Sequence, residues 1–456
     1  MREPISVIGA GWVGLVTAAC FADLGHEVTV RDVDAARIAE LEAGRVPIHE
    51  PGLGELLGRN RSRLRFTTSS AELFERGGLA FVCVGTPPTY SGDADLSAVW
   101  QVVDELPTTK DGLALIMKST VPPGTGVQVR GRLDARGLTQ VAYVSNPEFL
   151  AEGTAIANFM RPDRVVVGSF GSAEGDRVAM LYQEFAAPIV RADVTSAEMI
   201  KYASNAFLAT KISFTNEIAN VCEEVGADVT LVANGMGLDQ RIGPHFLRAG
   251  VGYGGSCFPK DVAALKQLAG NSGYHFQLLT SVIEVNELQK RRVVGKLRKH
   301  LGSLQDRTVA LLGLAFKPDT NDVREASSLV LALRLLAEGA HVKAWDPVAI
   351  EDARPLLAGV QLCEDLLEAV SGADAAVIVT EWNDLKALAR AQVRTAMNNP
   401  LIVDGRNLLD PETVRRAGFA YEGIGRPSSP VEGRVAPQPL ELAEALARSL
   451  AEVPAG

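Results

Sequence analysis

The segment ISVIGAGWVG at residues 5–14 determines the fold at the start of this chain. Its first four residues predict a buried strand, and glycines at the G-x-G-x-x-G spacing predict a tight turn that opens a helix. Backbone N–H groups at such a helix start hold a pyrophosphate well. The segment therefore indicates a dinucleotide site, and we assign Gly9, Gly11, Val13 and Gly14 to cofactor binding.

A carboxylate stands where this kind of site needs one. Asp32 follows the next predicted strand, Glu27–Arg31, and lies 18 residues after Gly14. A carboxylate there binds the ribose hydroxyls of NAD and disfavours the 2′-phosphate of NADP. Arg31 and Arg37 leave NADP open as the alternative, because either guanidinium can pair with that phosphate. NAD is the expected cofactor, with Arg37 among the residues around it.

Beyond this segment, the pattern of strands and helices divides the chain. Apolar runs alternate with helical patterns to about residue 190, long helices such as Ser196–Val225 and Leu278–Leu301 dominate the middle, and alternation resumes from Thr308. Such alternation is typical of parallel sheets covered by helices. We predict an α/β fold with two doubly wound Rossmann-like domains joined by a long central helix and a helical middle region. The predicted boundaries are 1–195 for the NAD-binding Rossmann domain, 196–304 for the central helical region, 305–425 for the second α/β domain, and 426–456 for a flexible C-terminal tail.

Composition excludes several classes of partner. The formal net charge of -10 argues against a general nucleic-acid binder, since phosphate binding needs a basic surface. Five scattered cysteines without a C-x-x-C pair fit a reducing compartment. No uncharged apolar run reaches the ~18 residues of a membrane span, and the histidines have no metal-ligand spacing. We expect a cytoplasmic protein without metal, nucleic-acid or membrane partners.

A second segment, GYGGSCFPKD at residues 252–261, carries a nucleophile. Its glycines allow close backbone approach to a ligand, and Pro259 suits the first turn of a helix. A thiol at a helix N-terminus, near a lysine such as Lys260, is biased toward the thiolate. Together with a hydride-accepting cofactor, Cys257 indicates oxidation of an alcohol or aldehyde through a thioester. The other four cysteines are interpreted as buried small apolar residues.

Two pairs of polar residues accompany the cysteine. Glu148 and Glu152 follow a predicted strand and would share one face if their stretch were helical. Lys201 and Asn205 have the same spacing on the predicted central helix. Each pair alone is more typical of a solvated helix face. Their presence beside the cysteine segment favours a catalytic site.

These segments, taken in order, resemble the UDP-glucose/GDP-mannose dehydrogenase family. The resemblance runs from about residue 5 to residue 425. DQRIG at 239–243 and DGRN at 404–407 resemble the branch that oxidises UDP-glucose. Ser256 before the cysteine, where relatives that oxidise N-acetylated sugars carry histidine, points the same way. The matching segments are VGTP at 84–87, KSTVPPGT at 118–125, NPEFLAEG at 146–153, GYGGSCFPKD at 252–261 and FKPDTNDVRE at 316–325.

The resemblance implies an activity. It implies NAD-dependent four-electron oxidation of UDP-glucose at C6 to UDP-glucuronate, with two NADH formed per turnover. The aldehyde would be captured as a thiohemiacetal on Cys257 and oxidised to a thioester, which water hydrolyses. The resemblance further implies that 305–425 binds the UDP-sugar. It also implies a homodimer in which Arg241 enters the neighbouring site, so that 196–304 carries both the dimer interface and the catalytic loop.

The resemblance also implies a role for each matching site residue. Asp261 and Glu148 are the candidate acid–base groups, and the choice between them stays open. The residues implied for catalysis are Cys257, Lys201, Asn205, Asp261, Thr120 and Glu148. Those implied near the cofactor, besides the glycine turn and Asp32, are Thr86, Thr120, Glu152, Lys260 and Arg324. Those implied for the substrate are Phe149, Leu150, Glu152, Lys201, Asn205, Arg241, Tyr253, Gly254, Lys317 and Arg406.

Two other functions compete with this interpretation. Oxidation of GDP-mannose needs the same catalytic residues, and the shape of the base pocket decides between the two substrates. A non-catalytic nucleotide-sugar scaffold on the same fold would predict a damaged nucleophile or lysine. Cys257 and Lys201 are both present, which disfavours the scaffold.

Overall fold

A computed structural model describes residues 2–76, 78–107 and 112–427 of the chain. Within them the opening segment folds as a strand, a tight turn and a helix, and a large sheet extends from that strand on both sides. The predicted tail, 426–456, lies outside the described residues from 428 onward. The strands are β1 Ile5–Ile8, β2 Val28–Arg31, β3 Leu64–Thr67, β4 Leu79–Val82, β5 Ala114–Met117, β6 Ala142–Ser145, β7 Val165–Ser169, β8 Ile189–Ala192, β9 Thr308–Leu312, β10 His341–Trp345, β11 Gln361–Leu362, β12 Ala375–Ile378, β13 Leu401–Asp404 and β14 Ala420–Gly423.

Helices cover both sheets and fill the middle of the chain. Three short 3₁₀ turns lie at Arg61–Arg63, Arg354–Leu356 and Asn383–Ala387. The α-helices are α1 Trp12–Asp23, α2 Ala35–Glu42, α3 Leu53–Arg59, α4 Ser70–Arg76, α5 Ser97–Asp104, α6 Thr125–Ala135, α7 Ala155–Met160, α8 Ser172–Met180, α9 Val194–Val225, α10 Val229–Gly237, α11 Phe258–Asn271, α12 Gln277–Gln289, α13 Arg292–Leu301, α14 Ser327–Ala337, α15 Ile350–Ala353, α16 Leu366–Val370, α17 Ala391–Ala396 and α18 Pro411–Arg416.

The first sheet has the strand order β3-β2-β1-β4-β5-β6-β7-β8. Strands β1 to β6 pair in parallel, as predicted for a doubly wound domain. The last two strands depart from that pattern, because β7 pairs antiparallel with β6, with Val144 opposite Ser169. Every residue of β1, β4 and β5 is buried, which explains why these strands are almost continuously apolar.

Helix α9 is the predicted central helix. It begins after Asp193, whose side chain accepts a hydrogen bond from the Ser196 N–H, and it ends at Gly226, whose φ of 75° is left-handed. Its 32 residues span about 48 Å at the helical rise. The second long helix predicted, Leu278–Leu301, is wrong as one element. It breaks between α12 and α13, where the buried Gln289 amide donates to the Gly250 carbonyl at 2.9 Å.

The second sheet has the order β11-β10-β9-β12-β13-β14, and all of its pairs are parallel. The predicted α/β class, with two doubly wound units and a long central helix, is confirmed. Within the described residues, no helix combines the length and apolar character needed to cross a membrane.

The segment that carries Cys257 lies between the central helix and the second sheet. The Gly255 N–H donates to the Arg324 carbonyl at 2.9 Å, and the Val251 N–H donates to the Gly405 carbonyl at 3.0 Å. Both acceptors belong to loops at the carboxyl edge of the second sheet. Ligands of open α/β sheets bind at that edge, so the fold brings the thiol to the place where a nucleotide is expected.

Candidate active site

Cys257 is the residue that directly precedes helix α11. The backbone before it turns at Gly255, whose φ is +82° and where an added Cβ would lie 2.7 Å from the Phe316 ring. The expected bias toward thiolate is wrong in this structure. Burial raises the pKa of the Cys257 thiol, and the nearby carboxylates of Glu148 and Asp261 add to the effect, while Lys201 only partly offsets it.

Lys201 and Glu148 form a buried ion pair beside the thiol. The Lys201 Nζ lies 2.8 Å from Glu148 Oε1, and both side chains are at most 5% exposed. Burial opposes both charges, yet each partner stabilises the other, so the pKa of Glu148 is lowered and the pKa of Lys201 is raised. The pair is therefore charged at neutral pH. Lys201 also lies 5.4 Å from the centre of the Phe149 ring.

A second hydrogen-bonded pair lies one helical turn further along α9. Asn205 Nδ2 donates to Asp261 Oδ2 at 2.6 Å, and both side chains are buried. Lys260 Nζ contacts the other oxygen, Asp261 Oδ1, at 2.5 Å. Both oxygens of this carboxylate are thus engaged by the protein. Residues on α9 and on the first turn of α11 therefore meet around the thiol.

The glycine turn between β1 and α1 has the shape that a dinucleotide requires. A Cβ at Gly14 would lie 1.9 Å from the Gly9 carbonyl oxygen, so only glycine fits there. A Cβ at Gly11 would meet nothing within 4 Å, which leaves open space before the first turn of α1. The N–H groups of a first helical turn have no acceptor within the helix. The partly buried Val13 lies in this turn and packs on the core. A pyrophosphate fits this turn.

Asp32 lies at the end of β2, facing that turn. Its Oδ2 accepts the Ala10 N–H at 2.6 Å and lies 3.3 Å from Arg37 Nη1. The other arginine that kept NADP open, Arg31, is paired with Glu105 at 3.0 Å. Both guanidinium groups thus have carboxylate partners within the chain. The arrangement fits NAD, with the carboxylate available to ribose hydroxyls.

Thr120 lies in the loop after β5, and Thr86 lies in the loop after β4. Thr86 Oγ1 donates to the Thr120 carbonyl at 2.8 Å, which ties the two loops together. Ser119 adds a second tie by donating to the Val84 carbonyl at 2.7 Å. These predicted cofactor residues therefore lie side by side at the carboxyl edge of the first sheet.

Glu152 joins the two units. Thr320 Oγ1 donates to Glu152 Oε2 at 2.8 Å, and Arg324 Nη2 lies 3.8 Å from Oε1. Burial raises the pKa of Glu152 to about 7, with a further contribution from Asp322. Burial lowers the pKa of Lys317, which is among the charges around Glu152. The stretch from Glu148 to Glu152 is a loop rather than a helix, so these two carboxylates serve separate clusters.

Four residues implied for substrate binding lie in the loops that surround the thiol. Tyr253 is buried, and its N–H donates to Asn286 Oδ1 at 2.8 Å. Gly254 lies so close to the second unit that a Cβ there would be 2.3 Å from the Glu325 carbonyl oxygen. Phe149 and Leu150, which follow Glu148, are both half-buried.

Two predicted arginines have other partners in this structure. The Arg406 guanidinium donates to the carbonyls of Val379 and Gly252 at 2.7 and 2.9 Å, and so holds the cysteine loop on the second sheet. Arg241 is 89% exposed and pairs with its neighbour Asp239 at 2.6 Å. The fold of one chain thus holds Arg406 by backbone carbonyls and leaves Arg241 on the surface.

Glu50 is a site residue that the sequence interpretation missed. Its Oε2 accepts hydrogen bonds from the Trp12 indole and the Gly153 N–H at 3.0 and 2.7 Å, and its Oε1 accepts the Ala155 N–H at 2.8 Å. It therefore joins the cofactor turn to the loop that carries Glu152. Its only sequence signal is a carboxylate in an apolar, glycine-containing stretch. Among the described residues, no group of three or more His, Cys, Asp or Glu is placed to hold a metal ion.

Comparison with known families gives matches along most of the chain. Residues 3–186 match the NAD binding domain of the UDP-glucose/GDP-mannose dehydrogenase family, residues 195–288 match its central domain, and residues 310–411 match its UDP binding domain. A UDP-glucose 6-dehydrogenase of Bacillus subtilis is 46% identical over 432 residues, which are 93% of this chain and 94% of that protein.

Solved structures of related enzymes have the same fold. A UDP-glucose dehydrogenase from Pyrobaculum islandicum superimposes with a TM-score of 0.86 at 38% identity, covering 93% of this chain and 98% of that chain. A UDP-D-ManNAc dehydrogenase from Pyrococcus horikoshii superimposes with a TM-score of 0.84 at 27% identity, covering 94% of this chain and 100% of that chain.

Proposed function

The chain belongs to the UDP-glucose/GDP-mannose dehydrogenase family, and from that premise we propose that it oxidises UDP-glucose to UDP-glucuronate through a thioester on Cys257. It is an NAD-dependent dehydrogenase. The observation that carries the proposal is the cluster around the thiol. The Lys201–Glu148 ion pair and the Asp261 carboxylate, which Asn205 holds, all lie close enough to influence the thiol. A scaffold protein has no need of buried charges around a thiol.

The first half of the reaction takes the C6 alcohol to an aldehyde, and the hydroxyl proton passes to a carboxylate of the cluster. Bound NAD supplies the hydride acceptor in each of the two oxidation steps. The Lys201 ammonium is the donor for the negative charge that develops on the C6 oxygen, and one such donor contributes roughly 3–4 kcal/mol. Glu148 keeps that ammonium charged and in place at 2.8 Å. The Asn205 amide, held by Asp261, is the second donor in reach of the same region.

The second half of the reaction needs a nucleophile. The Cys257 thiol adds to the aldehyde carbon, and its proton passes by way of a carboxylate of the cluster to the C6 oxygen, giving a thiohemiacetal. Because burial raises the pKa of the thiol, this proton transfer accompanies the addition rather than preceding it. Oxidation of that adduct leaves a thioester, and water releases UDP-glucuronate. Covalent capture prevents loss of the aldehyde between the two oxidations.

We assign the nucleotide of the substrate to the second unit, residues 305–425, and the cofactor to residues 1–195. Lys317 supports this division, because it is half-buried and its charge interacts with Glu152 beside the cysteine loop. A diphosphate is the ligand that such a lysine suits. Arg324 lies at the junction of both units, where either nucleotide would meet it.

We assign a homodimer to the central helix. Phe207, Phe214 and Val221 of α9 are 65%, 50% and 57% exposed, and they recur at heptad spacing along one stripe. An exposed apolar stripe of this kind marks an interaction surface. Arg241 lies on the surface with its charge turned toward solvent, which is compatible with a role in the neighbouring subunit.

The test is the amount of NADH formed per UDP-glucose consumed at completion, with GDP-mannose assayed in parallel. Two NADH from UDP-glucose and none from GDP-mannose are expected. One NADH per UDP-glucose would mean that the aldehyde escapes and that Cys257 does not hold it. Turnover with GDP-mannose alone would move the chain to the other branch of the family, and silence with both would favour a scaffold.

A further inference from the structure

A small cavity lies against the loop that carries Glu148. Its volume is about 80 Å³, and its inner wall includes the buried residues Lys118, Asn146 and Glu148. Its outer wall includes the exposed Arg161 and Asp163, so it reaches the surface. Phe149 and Leu150 of the same loop also line it, whereas Cys257, Lys201 and Asp261 do not.

Lys118 is an unusual residue to find at the inner end of such a cavity. Its side chain is buried, and its Nζ lies 3.2 Å from Asn146 Oδ1 and 5.9 Å from the centres of the Phe159 and Tyr182 rings. Among the described residues, no carboxylate lies within ion-pair distance of this ammonium. A buried cation without a paired anion is costly and needs polar contacts or water.

The cavity is suited to water. Its volume is several times the ~10–15 Å³ that one water needs by the same measure. Lys118 Nζ offers the hydrogen-bond donors for such a water, because an ammonium has three N–H groups and Asn146 Oδ1, which also accepts the Tyr182 hydroxyl at 2.6 Å, occupies only part of them. Burial lowers the pKa of Lys118 to about 8, so this amine exchanges protons near neutral pH.

We propose that this cavity is a water- and proton-exchange site that serves Glu148 through Lys118 while substrate and cofactor fill the main cleft. The proposal rests on the thioester chemistry of the proposed function. In the hydrolysis step water forms a C–O bond, the C–S bond to Cys257 breaks, and the products are a carboxylate, the thiol and one proton. One proton of the water returns to the sulfur, and the other leaves through Glu148 into the cavity.

The charges around this site set the direction of its pH dependence. Lys118 faces Cys83 after β4, Glu148 after β6, and Lys201 on α9, and Tyr182 lies beside it. Lys118 is one of the cations that hold the pKa of Glu148 down. Removing it raises that pKa, so the acidic limb of the rate profile for hydrolysis shifts to higher pH by about one unit.

The test is Lys118→Met, which keeps the length of the side chain and removes the charge. We expect hydrolysis to slow about tenfold, since partial loss of acid–base catalysis has effects of this order. The first oxidation should keep its rate. After quenching a reaction with UDP-glucose and NAD, intact mass should reveal the UDP-glucuronyl adduct on most chains of the variant and on few of the wild type.

The controls separate this role from a structural one. Lys386→Met removes an exposed lysine and should behave as wild type. Lys118→Arg keeps the positive charge but cannot release a proton, so it should leave the acidic limb in place without restoring the rate of hydrolysis. If Lys118→Met fails to fold, Tyr182→Phe is the second variant. It removes the hydroxyl that donates to Asn146 Oδ1 and should give a smaller accumulation of the same adduct. No accumulation in either variant, with two NADH per UDP-glucose in the wild type, overturns the cavity proposal alone. One NADH in the wild type overturns the thioester itself.

Discussion

Two glycine turns in this molecule have the same local structure but differ in the ligands that they suit. Gly9 ends the first strand of the first sheet with φ +103°, and Gly313 ends the first strand of the second sheet with φ +98°. The residue after each glycine donates its N–H to a carboxylate at the end of the neighbouring strand, to Asp32 at 2.6 Å and to Asp346 at 2.7 Å. The two units thus repeat one local design.

The two turns differ in the length of chain between the glycine and the next helix. After Gly9 the helix starts at once, at Trp12, so its first N–H groups face open space. After Gly313 the helix starts only at Ser327, and the loop between them carries side chains toward the cleft. The Asp346 carboxylate accepts five hydrogen bonds from within the second unit. The donors are the N–H groups of Leu314, Ala315, Val348 and Ala349 and the indole of Trp382.

This contrast indicates that the fold alone does not make a dinucleotide site. A helix N-terminus at the turn holds phosphates with backbone groups, whereas a long loop must use side chains such as Lys317. The first unit therefore suits NAD, and the second suits a ligand that charged side chains hold. Four substitutions test the contrast, and their expected effects decrease from Asp346→Asn to Asp32→Asn.

Asp346→Asn should destabilise the protein most. The asparagine amide would face at least two of the five donors that the carboxylate now accepts, and each buried unsatisfied group costs about 1–3 kcal/mol. We expect the free energy of unfolding to fall by about 3 kcal/mol in a urea titration, with NAD affinity unchanged. A loss below about 1 kcal/mol would mean that this carboxylate does not organise the second turn.

Gly14→Ala should act on the other unit and on binding. The added Cβ would lie 1.9 Å from the Gly9 carbonyl oxygen, so the turn must shift. A misplacement of about 1 Å can reduce the performance of a precisely positioned site about 100-fold. We therefore expect the affinity for NAD, measured by calorimetry, to fall about 100-fold. Gly58→Ala is the matched control, since a Cβ there meets nothing within 4 Å. Equal NAD affinity in both variants would contradict the assignment.

Glu152→Gln tests the contact between the two units. Because burial raises the pKa of Glu152 to about 7, its ionisation opposes folding, and the wild type loses stability as the pH rises from its ordinary pKa of 4.5 to 7. The glutamine should remove roughly 2 kcal/mol of that loss. Urea titrations across this pH range measure it, with exposed Glu412→Gln as the control. A pH dependence unchanged by Glu152→Gln would refute the shifted pKa.

Asp32→Asn should have the smallest effect of the four. In contrast to Asp346→Asn, it should lower the affinity for NAD and change the free energy of unfolding little. Asp32 has fewer donors around it, so the free energy of unfolding should change by less than about 1 kcal/mol. NAD affinity should fall about tenfold, because one charge-assisted hydrogen bond to the ribose is weakened. Unchanged NAD affinity would remove the ribose role of this carboxylate.

Local signals made much of the fold predictable. The turn at Gly9–Gly14, the central helix and the helix start at Cys257 each depend on residues close together in sequence, and each was confirmed. The edge strand β3 was missed. It has only four residues, and one of them is the exposed Arg65, so its apolar signal is weak. The break before α13 lies where the Gln289 amide donates a hydrogen bond to the Gly250 carbonyl. No local sequence pattern reveals this contact between distant residues.

The candidate site was less predictable, because its contacts join distant segments. Glu148 pairs with Lys201 rather than sharing a helix face with Glu152, since the stretch between the two carboxylates is a loop. Glu50 accepts N–H groups more than a hundred residues away. The raised pKa of Cys257 comes from burial and from the carboxylate of Glu148, which lies far away in the sequence.

Of the two similar turns, we propose that the first binds NAD while the other unit binds the substrate nucleotide against Cys257. Calorimetric titration of NAD, then of UDP, into wild type and Gly14→Ala is the decisive measurement. We predict one NAD per chain, UDP binding that does not compete with NAD, and loss of the NAD signal alone in Gly14→Ala. Two NAD per chain, or loss of UDP binding together with NAD binding, would contradict this division of the two units.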